Sequence, residues 1–151
     1  MKKFNSTKEI LDFAIKGEQD AIDFYANLYK KAKHEHIKEV YKEYIAEEQS
    51  HKSKLQKLKA EGKLNVIESK ITDLKISDYL TEQEPNDDMS YTEALIVAMQ
   101  KEKAAFRLYS DLAELTDDVE LKKTFTFLAN EEAKHKLKFE TEYDDNVLKE
   151  N

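Results

Sequence analysis

Two segments of the chain repeat a carboxylate and an imidazole at one spacing, Glu48-x-x-His51 and Glu132-x-x-His135. On a helix, residues three apart share a face, so each pair can grip one cation from one side. A further glutamate, Glu18 or Glu102, stands thirty residues before the Glu of each pair. Four carboxylates and two neutral imidazoles form a hard oxygen and nitrogen donor set. It suits iron or manganese and is compatible with zinc. The chain has no cysteine, which excludes disulfides, thiolate zinc, iron–sulfur clusters and thiol nucleophiles.

The elements that position these residues are helices. Ser6-x-x-Glu9 is a capping-box pattern, followed by Leu11, Ala14, Ala21, Tyr25, Leu28 and Ala32 at helical spacing. A second stripe carries Ile37, Tyr41, Tyr44, Leu55 and Leu58 and stops at Glu61-Gly62, glycine being a common helix terminator. Ser90-x-x-Glu93 opens a third stripe with Leu95, Ala98, Ala105, Tyr109 and Leu112. Past Asp117-Asp118 a fourth holds Leu121, Phe125, Leu128, Phe139 and Tyr143 before a polar tail over 144–151. The spacing predicts helices over 7–33, 37–61, 91–116 and 118–143. The segment 63–89, with the only proline, Pro85, beside Asn86-Asp87-Asp88, is predicted to be a connection with a short helix near Ile76–Leu80.

The turns within each helix pair are short, so each pair is an antiparallel hairpin. The middle connection is long enough to travel a bundle of roughly 38 Å, the length of a 25-residue helix. The predicted fold is therefore all-α: a single domain, 1–151, forming a four-helix bundle with up-down-down-up order. An internal repeat supports it. An offset of 84 superposes Glu18, Ala21, Tyr25 and Leu28 on Glu102, Ala105, Tyr109 and Leu112, and Glu47-Glu48 and His51 on Glu131-Glu132 and His135.

Each apolar stripe has gaps, and the gaps are Glu18, Glu48, His51, Glu102, Glu132 and His135. These six ionisable residues therefore occupy core positions, at one level by their distance from the turns. Burying four anions together costs several kcal/mol apiece unless positive charge sits among them. No Lys or Arg falls on the stripes at that level, whereas two divalent cations balance four carboxylates and leave both imidazoles neutral as ligands. Tyr25 and Tyr109, two turns beyond Glu18 and Glu102, are candidates to hydrogen-bond a ligand carboxylate. Glu47 and Glu131 are read as facing solvent or a neighbouring helix, and His34-Glu35-His36 as a surface turn.

Composition sets outer limits. The 151 residues include two Gly and one Pro, too few turn formers for a sandwich, a barrel or a doubly wound sheet. A net charge of −7 argues against nucleic acid and anionic membrane as partners. No run reaches the roughly 20 apolar residues of a membrane span, and no apolar stretch follows Met1-Lys2-Lys3, so a cytoplasmic location is expected.

The segments Gly17-Glu18 with Ala21 and Tyr25, Glu47-Glu48-Gln49-Ser50-His51, Glu102 with Tyr109, and Ala129-Asn130-Glu131-Glu132-Ala133-Lys134-His135 resemble the rubrerythrin branch of the ferritin-like superfamily. The resemblance spans all four helices. It implies two iron ions held by Glu18, Glu48, His51, Glu102, Glu132 and His135, and reduction of hydrogen peroxide or dioxygen to water. Two departures stand out. The chain lacks a four-cysteine rubredoxin-like domain, so electrons are expected from a separate, rubredoxin-like donor protein. Where the family usually has a further Glu one turn after the third-helix ligand, this chain has Ala105, and the site is expected to be more symmetric. A homodimer is expected. Other functions open to the same residues are a ferroxidase feeding iron storage and a metal-stabilised bundle without turnover.

Overall fold

The computed structural model describes residues 2–81, 86 and 88–150. Met1, Pro85, Asp87 and Asn151, which the sequence reading assigns to the start, the connection and the tail, lie outside the described residues. Four helices dominate: α1 (Thr7–Lys31), α2 (Glu35–Glu61), α3 (Tyr91–Leu115) and α4 (Val119–Glu150).

Their ends follow local chemistry. Ser6 Oγ accepts the Glu9 backbone N–H at 3.1 Å, and at the start of α3 Ser90 and Glu93 exchange both bonds of a capping box. Gly62 ends α2 at φ 65°, the left-handed region, with its N–H reaching the carbonyls of Leu58 and Lys59. Asp118 Oδ1 accepts the Leu121 N–H at 2.8 Å and so opens α4. That helix runs to Glu150, beyond the expected end at Tyr143. The added residues contain neither Gly nor Pro, and Asn146 Nδ2 donates back to the Glu142 carbonyl one turn earlier.

Two apolar clusters occupy opposite ends of the bundle. One joins Ile10, Leu11 and Ala14 near the start of α1 to Leu55 late in α2, Leu108 and Leu112 late in α3, and Leu121 and Phe125 early in α4. The other joins Leu28 late in α1 to Ile37 and Tyr41 early in α2, Leu95 and Ala98 early in α3, and Phe139 in the second half of α4. Helices α1 and α4 therefore run one way and α2 and α3 the other, which is the up-down-down-up order. Each fully buried Leu or Phe in these clusters contributes roughly 1.5–3 kcal/mol, so the two ends carry the stability and free the middle for polar groups.

The connection is more ordered than its sequence pattern indicates. Lys63–Asp73 forms a 3-10 helix that buries Leu64, Ile67 and Ile71, and a second covers Ile76–Tyr79, matching the short helix expected there. Both pack in the first cluster, which also takes Phe4 from the N-terminal segment. That segment is tied down by a bridge from Lys3 to Lys75 and by Glu68, whose carboxylate accepts the Thr7 N–H at 3.0 Å. Tyr79 donates to Asp111 Oδ2 on α3 at 2.6 Å, and Met89 packs in the opposite cluster, so the connection climbs between them. Among the described residues no helix is long and apolar enough to cross a membrane.

Candidate metal centre

Midway between the two apolar clusters, all six residues that interrupt the stripes are buried: Glu18, Glu48, His51, Glu102, Glu132 and His135 are each no more than 2% exposed. The helices place one glutamate from α1, one from α3 and a Glu–His pair from each of α2 and α4 at this level. They form two overlapping groups. Ligand atoms of Glu18, Glu48, His51 and Glu132 lie within 4.8 Å of one another, and so do those of Glu48, Glu102, Glu132 and His135. Such a spread suits atoms surrounding one ion at about 2.0–2.2 Å from each. Glu48 and Glu132 belong to both groups, so each stands where one carboxylate can bridge two ions.

The hydrogen bonding is incomplete in a telling way. His51 Nδ1 lies 2.9 Å from Glu132 Oε1, and Tyr109 donates to Glu18 Oε1 at 2.5 Å. Glu18 Oε2, Glu48 Oε1, Glu102 Oε2 and His135 Nδ1 have no hydrogen-bond partner. Glu48 Oε1 is 3.2 Å from His135 Nδ1, yet the pair is out of line for a hydrogen bond. Buried polar atoms are ordinarily satisfied, so four orphans converging from four residues mark a place for a positive ligand. The donor set and these orphaned atoms fit iron.

Electrostatics agree. Burial, with the neighbouring charge of Glu48, pushes Glu18 up to about 8 from an ordinary 4.5, and burial beside Glu102 and Glu18 raises Glu132 well above its ordinary value. Burial opposes charge on His51, but the carboxylates of Glu132, Glu18 and Glu48 outweigh it and bring the imidazole up to about 12. His135 follows the same logic, burial being outweighed by Glu102 and Glu48, and reaches about 12. Without metal, then, the cluster retains protons as its counter-charge. Burial also raises Tyr109 well above its ordinary value, so its phenol stays a donor to Glu18.

The two tyrosines behave differently from one another. Tyr109 bonds across to Glu18 on α1, not to Glu102 on its own helix, whereas the buried Tyr25 hydroxyl has no hydrogen-bond partner. Tyr25 instead sets its ring edge against His135, with ring centres 6.3 Å apart.

Glu47, read from the sequence as facing solvent or a neighbouring helix, is partly exposed and reaches His135 on α4, a contact the sequence did not identify. Its Oε2 lies 2.5 Å from His135 Nε2, so with Nε2 as donor the Nδ1 atom faces the cluster. Tyr44 stacks on the same imidazole at 3.9 Å between centres. The repeat-related Glu131 pairs with Lys134 at 3.4 Å, and His51 meets Phe127 edge-on instead. The only sequence signal for Glu47 is the doublet Glu47-Glu48 repeated as Glu131-Glu132. His34 and His36 are exposed at the α1–α2 turn, away from the cluster.

A four-helix bundle with two inward Glu–His pairs and two further inward glutamates is the architecture of ferritin-like carboxylate metalloproteins. The chain matches the rubrerythrin family over residues 9–143 and belongs to that family. A hypothetical protein from Pyrococcus furiosus is similar in structure, with 26% identity, a TM-score of 0.72, and coverage of 91% of this chain and 87% of that one. A Thermotoga maritima protein whose crystal structure is described as ferritin-like and diiron-carboxylate shares the fold, with TM-score 0.76, 21% identity and coverage of 97% and 99%. Among curated proteins none matches significantly.

Two expectations follow. A group that binds its proton more tightly when folded lends stability that is complete below its unfolded pKa and lost as pH rises through its folded one. For Glu18 that window runs from 4.5 to about 8, and for the two histidines from 6.5 to about 12, all in one direction. Chelator-treated protein should thus show a lower urea midpoint at pH 8 than at pH 5, and added ferrous or manganous ion should stabilise it more at pH 8; a midpoint that rises between pH 5 and pH 8 without metal contradicts the assignment. Separately, Glu47→Ala should weaken metal affinity by about 10–100-fold, read by competition with a chromophoric chelator, because it frees the His135 ring; unchanged affinity would show that Glu47 does not orient it.

Proposed function

We propose that this protein is a di-iron oxidoreductase that reduces hydrogen peroxide to water with electrons from a separate donor protein, dioxygen being the other candidate oxidant. One observation carries this reading: Glu48 and Glu132 are each common to two ion-sized groups of buried ligand atoms. Two ions of charge +2 at those positions balance four carboxylates and complete the orphaned oxygens. Glu18, Glu48, His51 and Glu132 would hold one, and Glu48, Glu102, Glu132 and His135 would hold the other. A bound iron pair supplies two electrons to a substrate O–O bond.

The remaining work belongs to the chain. Glu48 and Glu132, common to both groups, would hold both ions. Tyr109 orients Glu18 through its phenol, and Glu47 orients His135 through Nε2. The apolar clusters above and below close the cluster off along the bundle axis. Peroxide is preferred as oxidant because the chain is a rubrerythrin family member. An external donor is needed because the chain contains no cysteine for an iron–sulfur or four-thiolate iron site of its own.

Glu132→Ala should abolish stoichiometric binding of two metal ions, while Glu131→Ala, which loses only a pairing with Lys134, should preserve it. Iron analysis after anaerobic loading and desalting makes the comparison, and equal losses would refute the ligand assignment. Loaded with ferrous iron, the wild-type protein should give up its electrons to hydrogen peroxide stoichiometrically within seconds in a stopped-flow trace. Faster oxidation by dioxygen would make dioxygen the oxidant; inertness to both would refute the redox reading.

A further inference from the structure

A cavity of about 370 Å³ lies between α1 and α3, directly over the metal cluster. Its floor includes four of the buried carboxylates, Glu18, Glu48, Glu102 and Glu132. Gly17 and Phe13 of α1 and Ala105 and Leu108 of α3 line its walls, Tyr79 and Leu80 of the connection lie on the remaining side, and the charged Lys16, Asp20 and Lys101 are also part of the lining. One water occupies about 30 Å³ in the liquid, so hydrogen peroxide, with two heavy atoms, leaves most of this space unfilled. The volume falls within the range of about 300–1,000 Å³ typical of sites for small organic ligands.

Two residue choices create the space. Gly17 lies inside α1, where glycine weakens a helix relative to alanine, and no positive φ calls for it. A Cβ added there would meet no atom within 4 Å, and the residue is exposed, so the position stands at the open mouth of the cavity. Ala105 lies one turn beyond Glu102 on α3, where any longer side chain would enter the same volume. Of the lining from the connection, Tyr79 is held in place by its bond to Asp111 and its stacking against Phe4, while Leu80 is largely exposed. With two ions bound, the carboxylates of the floor would be balanced, and Phe13, Leu80 and Leu108 give an apolar group its place beside the rim charges of Lys16, Asp20 and Lys101.

We propose that this cavity binds a neutral organic hydroperoxide of about ten heavy atoms, its apolar group against Phe13, Leu80 and Leu108 and its O–OH end toward the buried carboxylates. The proposal rests on the di-iron reading above and names its substrate class. The reaction balances as ROOH plus two electrons and two protons giving ROH and water. The O–O bond breaks, the hydroperoxide is reduced, two one-electron equivalents come from the external donor protein, and the protons come from solvent.

The test uses cumene hydroperoxide and its product alcohol, 2-phenylpropan-2-ol. Calorimetric titration of the alcohol into zinc-loaded protein, which cannot turn over, should show saturable binding. Ala105→Leu, which narrows the cavity from the α3 wall, and Gly17→Leu, which obstructs its mouth from α1, should each weaken it tenfold or more at equal metal content. In the iron-loaded protein the ratio of oxidation rates, cumene hydroperoxide over hydrogen peroxide, should fall by tenfold or more in either variant. Metal-loaded wild type that does not bind the alcohol, or variants with the wild-type affinity and rate ratio, overturn the cavity assignment and leave the di-iron reading standing. Wild type that binds no metal overturns both.

Discussion

The desolvation of four carboxylates at one level of a helical bundle is the constraint on which everything else depends. Each buried anion costs several kcal/mol unless it is met by positive charge, and the described residues bring no Lys or Arg side chain into the buried cluster. The upward shifts of Glu18, Glu132, His51 and His135 show how the metal-free chain responds: it retains protons where cations belong. The surrounding architecture is arranged to tolerate this. Two apolar clusters, one at each end, supply the buried apolar contacts that hold the helices on either side of the centre.

The repeat makes the centre nearly symmetric, and the departures from symmetry are chemically meaningful. Glu18 accepts from Tyr109 through Oε1, whereas the repeat-related Tyr25 hydroxyl has no hydrogen-bond partner. His135 is fixed by Glu47 and stacked on Tyr44, while His51 has an edge contact with Phe127. The two ion positions therefore differ in how firmly their ligands are oriented, the one bearing His135 having its imidazole fixed from two directions.

The four helices and the six inward ionisable residues were legible in the sequence because polar residues interrupting an otherwise regular apolar stripe are conspicuous at a period of 3.6. Helix ends were legible where capping chemistry marked them, at Ser6, Gly62 and Ser90. The 3-10 segment Lys63–Asp73 was not, since its three buried residues carry no cap and a tighter helix blurs the period. The continuation of α4 past Tyr143 was hidden because the run Asp144-Asp145-Asn146 reads as a polar tail, although Val147 keeps the helical spacing one turn on. Glu47 lay beyond reach for a different reason: its side chain is 41% exposed and off the stripe, and its partner is distant in sequence. That Glu48 and Glu132 each serve both groups depends on the height of α2 against α4, which spacing along one chain fixes only to within a turn.

The most direct measurement is anomalous diffraction at the iron edge from crystals grown anaerobically with ferrous salt. Two peaks are expected inside the bundle, one among Glu18, Glu48, His51 and Glu132 and one among Glu48, Glu102, Glu132 and His135. An interior without anomalous density, with iron confined to surface carboxylates, would contradict the account.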